Sequence, residues 1–117
     1  MATKRTTTAK KPKATPTLSR AEQKRIEKLG AHWQLDAKHK HLSATFTFAN
    51  YLEALMFVTR ISIYAEVHRH HPEVCLSYGK VKITLTTHDA GAVTDLDITL
   101  AEAIERVLST QALTRPH

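Results

Sequence analysis

The stretch from Asn50 to about Arg69 constrains the fold more than any other. Leu52, Leu55, Met56, Val58, Ile61, Ile63, Tyr64 and Val67 recur at helical spacing, yet they cover far more of the circumference than one stripe. A helix of this kind has to be covered on more than one side. A sheet can cover one side, and a second subunit is the candidate for another. A homodimer or homotetramer through helix 50–69 and a sheet edge is therefore expected. Pro72 disfavours helical backbone at His71, so the helix is expected to end there.

Strand pairs flank this helix on both sides. His32–Asp36 is short. Leu42–Phe48 alternates Leu42, Ala44, Phe46 and Phe48 against Ser43, Thr45 and Thr47, the period of a half-buried strand. Asp36–Lys40 is the turn between them. Glu73–Tyr78, a tight turn at Gly79-Lys80, and Val81–Thr87 form the second pair. Ahead of the first pair, Ser19-Arg20-Ala21-Glu22 is a capping box. It opens a helix to about Leu29, closed by Gly30 where a left-handed residue is needed. Leu100, Ile104, Val107 and Leu108 mark one face of a last helix. The order αββαββα predicts an α+β fold, a four-stranded antiparallel sheet with three helices packed on one face.

The charge is distributed unevenly. Of the 17 Lys and Arg residues, six precede residue 21, where there is no acidic residue; the remaining 11 are matched by all 11 Asp and Glu. The net +6 thus belongs to the first 20 residues, and most of it to Met1–Thr17, a basic tail expected to be disordered. Residues 18–117 form the domain. A transit peptide, and a nuclear-import patch at Lys10-Lys11-Pro12-Lys13, are the alternatives to a plain solvated tail. A net-neutral body argues against a nucleic-acid partner. No run of about 18 apolar residues is present, so no membrane partner is expected. There is no signal-peptide pattern. The single Cys75 rules out an internal disulfide framework and fits a reducing compartment. The expected location is cytoplasmic.

Chemistry concentrates in two segments: Glu66-Val67-His68-Arg69-His70-His71-Pro72 and Thr86-Thr87-His88-Asp89-Ala90-Gly91. Imidazole, with an ordinary pKa of about 6.5, gives and takes protons near neutrality. Glu66 and His70 are four residues apart, so they are expected to lie on one face of the helix. His71 falls at its C-terminal end, where the helix dipole favours a cation. The Pro72 kink turns this corner toward the strand end that delivers His88. Several imidazoles around one cavity suit general acid–base catalysis.

The pattern Glu66, three residues, His70-His71-Pro72, an aromatic at Tyr78, His88 and Asp97 resembles the pterin-4a-carbinolamine dehydratases. The flanking text, Met56-Phe57-Val58-Thr59-Arg60 and Val81 to Gly91, is similar to that family too. The resemblance runs from about Leu18 to Leu108. It implies the same four-stranded sheet with three helices and dimers that pair into tetramers. It also implies a pterin substrate: 4a-hydroxytetrahydropterin loses water to give quinonoid dihydropterin, for reuse by aromatic amino-acid hydroxylases. It implies catalytic roles for His70, His71 and His88, with no metal or cofactor. His70 and His88 are the expected proton donors to the leaving hydroxyl, and His71 the base. Glu66 is expected to orient His70 or to contact the pterin. Pro72, Thr87, Asp89, Ala90 and Asp97 are expected at the substrate, Asp97 alternatively as the partner of Thr94 in a capping box. Arg69 stands where family members often carry Asp or Asn, and His68 is an added imidazole.

Two rival readings remain. His68, His70, His71, Cys75 and His88 are all potential zinc ligands, without a recognised spacing. The resemblance also allows a non-catalytic role as a dimerisation cofactor for a transcription factor, through the exposed helix surface.

Overall fold

The structure, a computed structural model, describes residues 18–114, with side chains through residue 111. The basic tail Met1–Thr17 lies outside the described residues. Seven elements follow in the expected order: α1 (Arg20–Leu29), β1 (Trp33–Leu35), β2 (Leu42–Thr47), α2 (Tyr51–His68), β3 (Glu73–Ser77), β4 (Lys80–Leu85) and α3 (Asp95–Thr114).

All neighbouring strands are antiparallel, in the order β1-β2-β4-β3. The hairpins β1–β2 and β3–β4 meet where β2 pairs β4, with Ala44 opposite Ile83 and Phe46 opposite Val81. Alternation then decides the two faces. Leu42, Ala44, Phe46, Val81, Ile83 and Leu85 are buried, while Thr45, Thr47, Lys80 and Lys82 are exposed on the other face. Phe57 and Ile61 of α2, Ile98, Leu100 and Ile104 of α3, and Ile26 and Leu29 of α1 complete a single core.

The ends of α1 show how local chemistry sets boundaries. The Ser19 hydroxyl accepts from the Glu22 amide (3.1 Å), and the Glu22 carboxylate accepts from the Ser19 amide (2.9 Å). Gly30 closes the helix at φ 125°, ψ 167°. This is glycine-favouring backbone but extended, rather than the left-handed helical cap expected. Arg25 then ties α1 to α3, donating to Glu102 (2.8 and 3.0 Å) and to Asp95. The β3–β4 turn is Tyr78-Gly79, not Gly79-Lys80, because Lys80 already pairs with Ser77. Gly79 has φ 64°, and a Cβ there would lie 3.0 Å from the Phe48 carbonyl oxygen.

α2 ends within a residue of the expected Arg69, but for a different reason. Arg69, not Pro72, terminates it. Arg69 adopts the left-handed conformation (φ 52°, ψ 38°), and its N–H reaches back to the Ala65 and Glu66 carbonyls. The His70 N–H also donates to Ala65 O, at 3.1 Å. His70 and His71 therefore lie outside the helix. On the outer side of α2, Leu52 (62%), Ile63 (61%) and Val67 (72%) remain exposed.

Candidate active site

Three segments converge at one end of the sheet: the residues after α2, the loop after β4, and the first turn of α3. The β1–β2 turn braces the middle one. The Thr86 hydroxyl donates to Lys40 O (2.6 Å), and the Val93 N–H donates to His39 O (2.8 Å). Thr87 bridges Ala92 through its N–H (3.0 Å), and Gly91 at φ 66° folds the chain back between them. His88 is thereby presented at the start of a tight, exposed turn.

These segments line a cleft of about 400 Å³. Its walls are Arg69, His70, His71, Thr86, Thr87, His88, Asp89 and Leu96. All three expected imidazoles face this one space. A larger groove of about 540 Å³ runs between α2 and α3, lined by Arg60, Ile63, Tyr64, Arg106, Val107 and Thr110. It carries no imidazole or carboxylate, so of the two spaces the smaller cleft holds the groups able to exchange protons near neutral pH.

The imidazoles are held differently. His70 is almost covered, with an 11% exposed side chain, and its Nε2–H donates to Asp97 Oδ1. Asp97 is wholly buried and has two further donors: its Oδ2 accepts from the Thr87 hydroxyl (2.8 Å) and the Thr94 N–H (2.9 Å). The Thr94 hydroxyl lies 2.7 Å from the Thr87 oxygen and accepts from the Leu96 N–H at 3.2 Å. A buried carboxylate with three donors fixes both the tautomer and the direction of the ring above it. His71 is 60% exposed and donates from Nε2 to Glu66 at 2.6 Å. His88 is exposed, and its ring has no hydrogen-bond partner among the described residues.

Several expected site residues stand elsewhere. Glu66 pairs with His71, not His70, because the left-handed turn at Arg69 swings His70 inward and leaves His71 beside the last helical turn. Asp97 lies beneath the cleft with no exposed surface, hydrogen-bonded to His70 and absent from the cleft wall. Its expected capping box with Thr94 is half formed: Asp97 accepts from the Thr94 N–H, while the Thr94 hydroxyl serves Leu96. Ala90 faces a separate recess of about 230 Å³, with Leu18, Glu22, Val93, Thr94 and Asp95. Pro72 is half-buried and lines neither space. Tyr78 is exposed in the turn at the opposite end of β4. Thr86 and Leu96 were missed as cleft residues. Leu96 lies four residues before Leu100, on the same helical stripe, so spacing alone gave no sign that it is exposed and lines the cleft.

No three His, Cys, Asp or Glu side chains among the described residues are arranged to hold a metal ion. Cys75 is on the exposed strand β3, away from the histidines. No described helix is long and apolar enough to cross a membrane.

An α+β sheet layered by three helices, with an imidazole-lined cleft at one end, defines the class. A family model described as pterin 4 alpha carbinolamine dehydratase matches residues 16–107. A candidate pterin-4-alpha-carbinolamine dehydratase of Rhizobium leguminosarum bv. trifolii is 47% identical over 76 residues, covering 65% of this chain and 75% of that protein. One of Chloroflexus aurantiacus is 38% identical over 93 residues, covering 80% and 98%. The crystal structure of a transcriptional coactivator/pterin dehydratase from Brucella melitensis superposes with a TM-score of 0.68 at 30% identity, covering 77% of this chain and 96% of that one. A pterin dehydratase-like protein identified as a RuBisCO assembly factor in the α-carboxysome shares the fold alone, at 19% identity, TM-score 0.57 and coverage of 68% and 92%. The chain belongs to the pterin 4 alpha carbinolamine dehydratase family.

Proposed function

We propose that this protein dehydrates pterin-4a-carbinolamine to quinonoid dihydropterin by histidine acid–base catalysis. The observation that carries this reading is the convergence of His70, His71 and His88 on one cleft, with His70 fixed by a buried carboxylate. The reaction is a loss of water. The C4a–O bond breaks as the hydroxyl takes a proton from an imidazolium, and a proton leaves the adjacent ring nitrogen to a neutral imidazole. Each positioned transfer typically contributes about 10²–10⁴-fold. His70 and His88 act as donors, and His71 as base and binder. Thr87 and Asp89 line the space the ring occupies. Neither step calls on a metal or cofactor. Supply of the dihydropterin to a reductase, and so to aromatic amino-acid hydroxylases, is the role this activity serves.

The exposed face of α2 supports an assembly in the same proposal. Leu52, Ile63 and Val67 pack against a second copy of the chain, and the unpaired edge of β3 offers a further contact.

The test is the dehydration rate of freshly generated 4a-hydroxytetrahydrobiopterin with wild type beside His71→Ala. A clear acceleration that collapses in the variant supports the dehydratase. No acceleration by folded wild type overturns it and favours a non-catalytic partner-binding role, to be sought by pull-down through α2.

A further inference from the structure

Arg69 has two properties that the family reading does not use. It is a large L-residue held in the left-handed region, and its side chain lines the cleft beside the three imidazoles. Glycine or asparagine fits that backbone more readily, so the turn does not account for an arginine. Capping does not account for it either. The helix end is satisfied by the main-chain N–H groups of Arg69 and His70, which leaves the guanidinium free for other work.

Among the described residues the guanidinium has no counter-ion. The nearby carboxylates are engaged, Glu66 with His71 and Asp97 with His70. Asp89 is the one acidic residue in the cleft wall, and it forms no ion pair with Arg69 among the described residues. The cleft is graded as a result. Its inner part holds the fixed ring of His70, and its outer part carries exposed Arg69, His71 and His88. Arg69 is thus an exposed cation on the cleft wall that carries the imidazoles.

We infer that Arg69 is a specificity residue that favours pterin carbinolamines whose ring side chain carries an anion, a carboxylate or a phosphate monoester, over those with a neutral side chain. This rests on the dehydratase reading above and names its substrate class. Guanidinium suits both anions because its planar fork donates two parallel hydrogen bonds.

The experiment compares three freshly generated 4a-hydroxy adducts: tetrahydrobiopterin with its neutral diol, 6-carboxytetrahydropterin, and the phosphate monoester of 6-hydroxymethyltetrahydropterin. The readout is the ratio of kcat/KM for each anionic substrate to that for the neutral one, in wild type, Arg69→Asn and Arg69→Lys. Asparagine keeps the left-handed turn without the charge. Wild type is expected to prefer at least one anion by about three- to tenfold. That preference falls toward one in Arg69→Asn, is partly kept in Arg69→Lys, and shrinks as salt is raised. The carboxylate and phosphate arms show which anion is meant. Equal ratios in wild type and Arg69→Asn overturn the inference while leaving the dehydratase standing. Binding of the unreactive 6-carboxypterin against 6-hydroxymethylpterin, read by pterin fluorescence, separates the two ideas. If no adduct is dehydrated but binding keeps an Arg69-dependent preference, the dehydratase falls and the anion selectivity stands. If that preference is missing too, both fall.

Discussion

Asp97 and Glu66 each hold one histidine, but their surroundings give the two pairs unequal weight. Asp97 is buried with both oxygens accepting hydrogen bonds, so replacing it with Asn turns an NH₂ toward at least one existing donor. Asp97→Asn is expected to cost about 1–3 kcal/mol of stability in a urea melt. It should lower kcat by about tenfold or more with a smaller change in KM, since a misaimed His70 hurts proton transfer before it hurts binding. An unchanged kcat would remove Asp97 from the machinery. Glu66 is 77% exposed, where an ion pair is screened by water. Glu66→Gln is expected to lower the dehydration rate by less than about fivefold, well short of His71→Ala. The histidines themselves were legible in the sequence, because three imidazoles in two short segments have few other reasons to coincide. Their partners were not. Helical spacing pairs Glu66 with His70, and only the left-handed Arg69 exchanges that for His71. An arginine in that conformation leaves no signature in the sequence, since asparagine or glycine is the residue that normally marks it.

At the level of elements, the alternating strands Leu42–Thr47 and Lys80–Leu85 and the Ser19 capping box were plain to read, because each rests on chemistry within a few residues. The stop of α2 was placed at about Arg69, where it falls, but was credited to the wrong residue. Pro72 is a visible breaker, but the chain has already left the helix three residues earlier. Pro72→Ala is therefore expected to leave helical content by circular dichroism unchanged. A lengthened helix would show that the proline is the true stop. The dock between α1 and α3 is a long-range feature with its own pH signature. The Arg25 guanidinium donates to Glu102 and holds its carboxyl below the ordinary range, against a smaller opposing effect of burial. Arg25 is raised in turn, chiefly by the same hydrogen bond, and stays charged throughout. A depressed carboxyl contributes stability that is fully present above its unfolded pKa of about 4.3. That contribution is lost as pH falls through the lower folded value. Glu102→Gln should therefore be less stable than wild type at neutral pH, with the gap closing below about pH 4. Urea melts across pH 3–7 check this; a gap that stays constant would assign the effect to packing instead.

For the whole molecule, the assembly proposed through α2 makes a direct demand. Val67→Glu and Ile63→Glu change side chains that are mostly exposed in the single chain, so the fold itself should be little disturbed. Sedimentation should nevertheless show a smaller species than wild type. If wild type is already monomeric, the apolar face of α2 has another purpose. The circumferential apolar pattern of α2 was legible from spacing alone, whereas which of its sides meets the sheet became clear only once Phe57 and Ile61 were seen in the core. One further consequence comes from the carboxylate of Asp97. Its donors are His70, Thr87 and Thr94, which follow α2, follow β4 and precede α3. A chain emerging from the ribosome carries its three histidines well before it carries Asp97, yet His70 has nothing to aim it until the last helix begins to form. On the proposed mechanism, a truncated product ending short of that helix would keep all three cleft imidazoles and is expected to be inert.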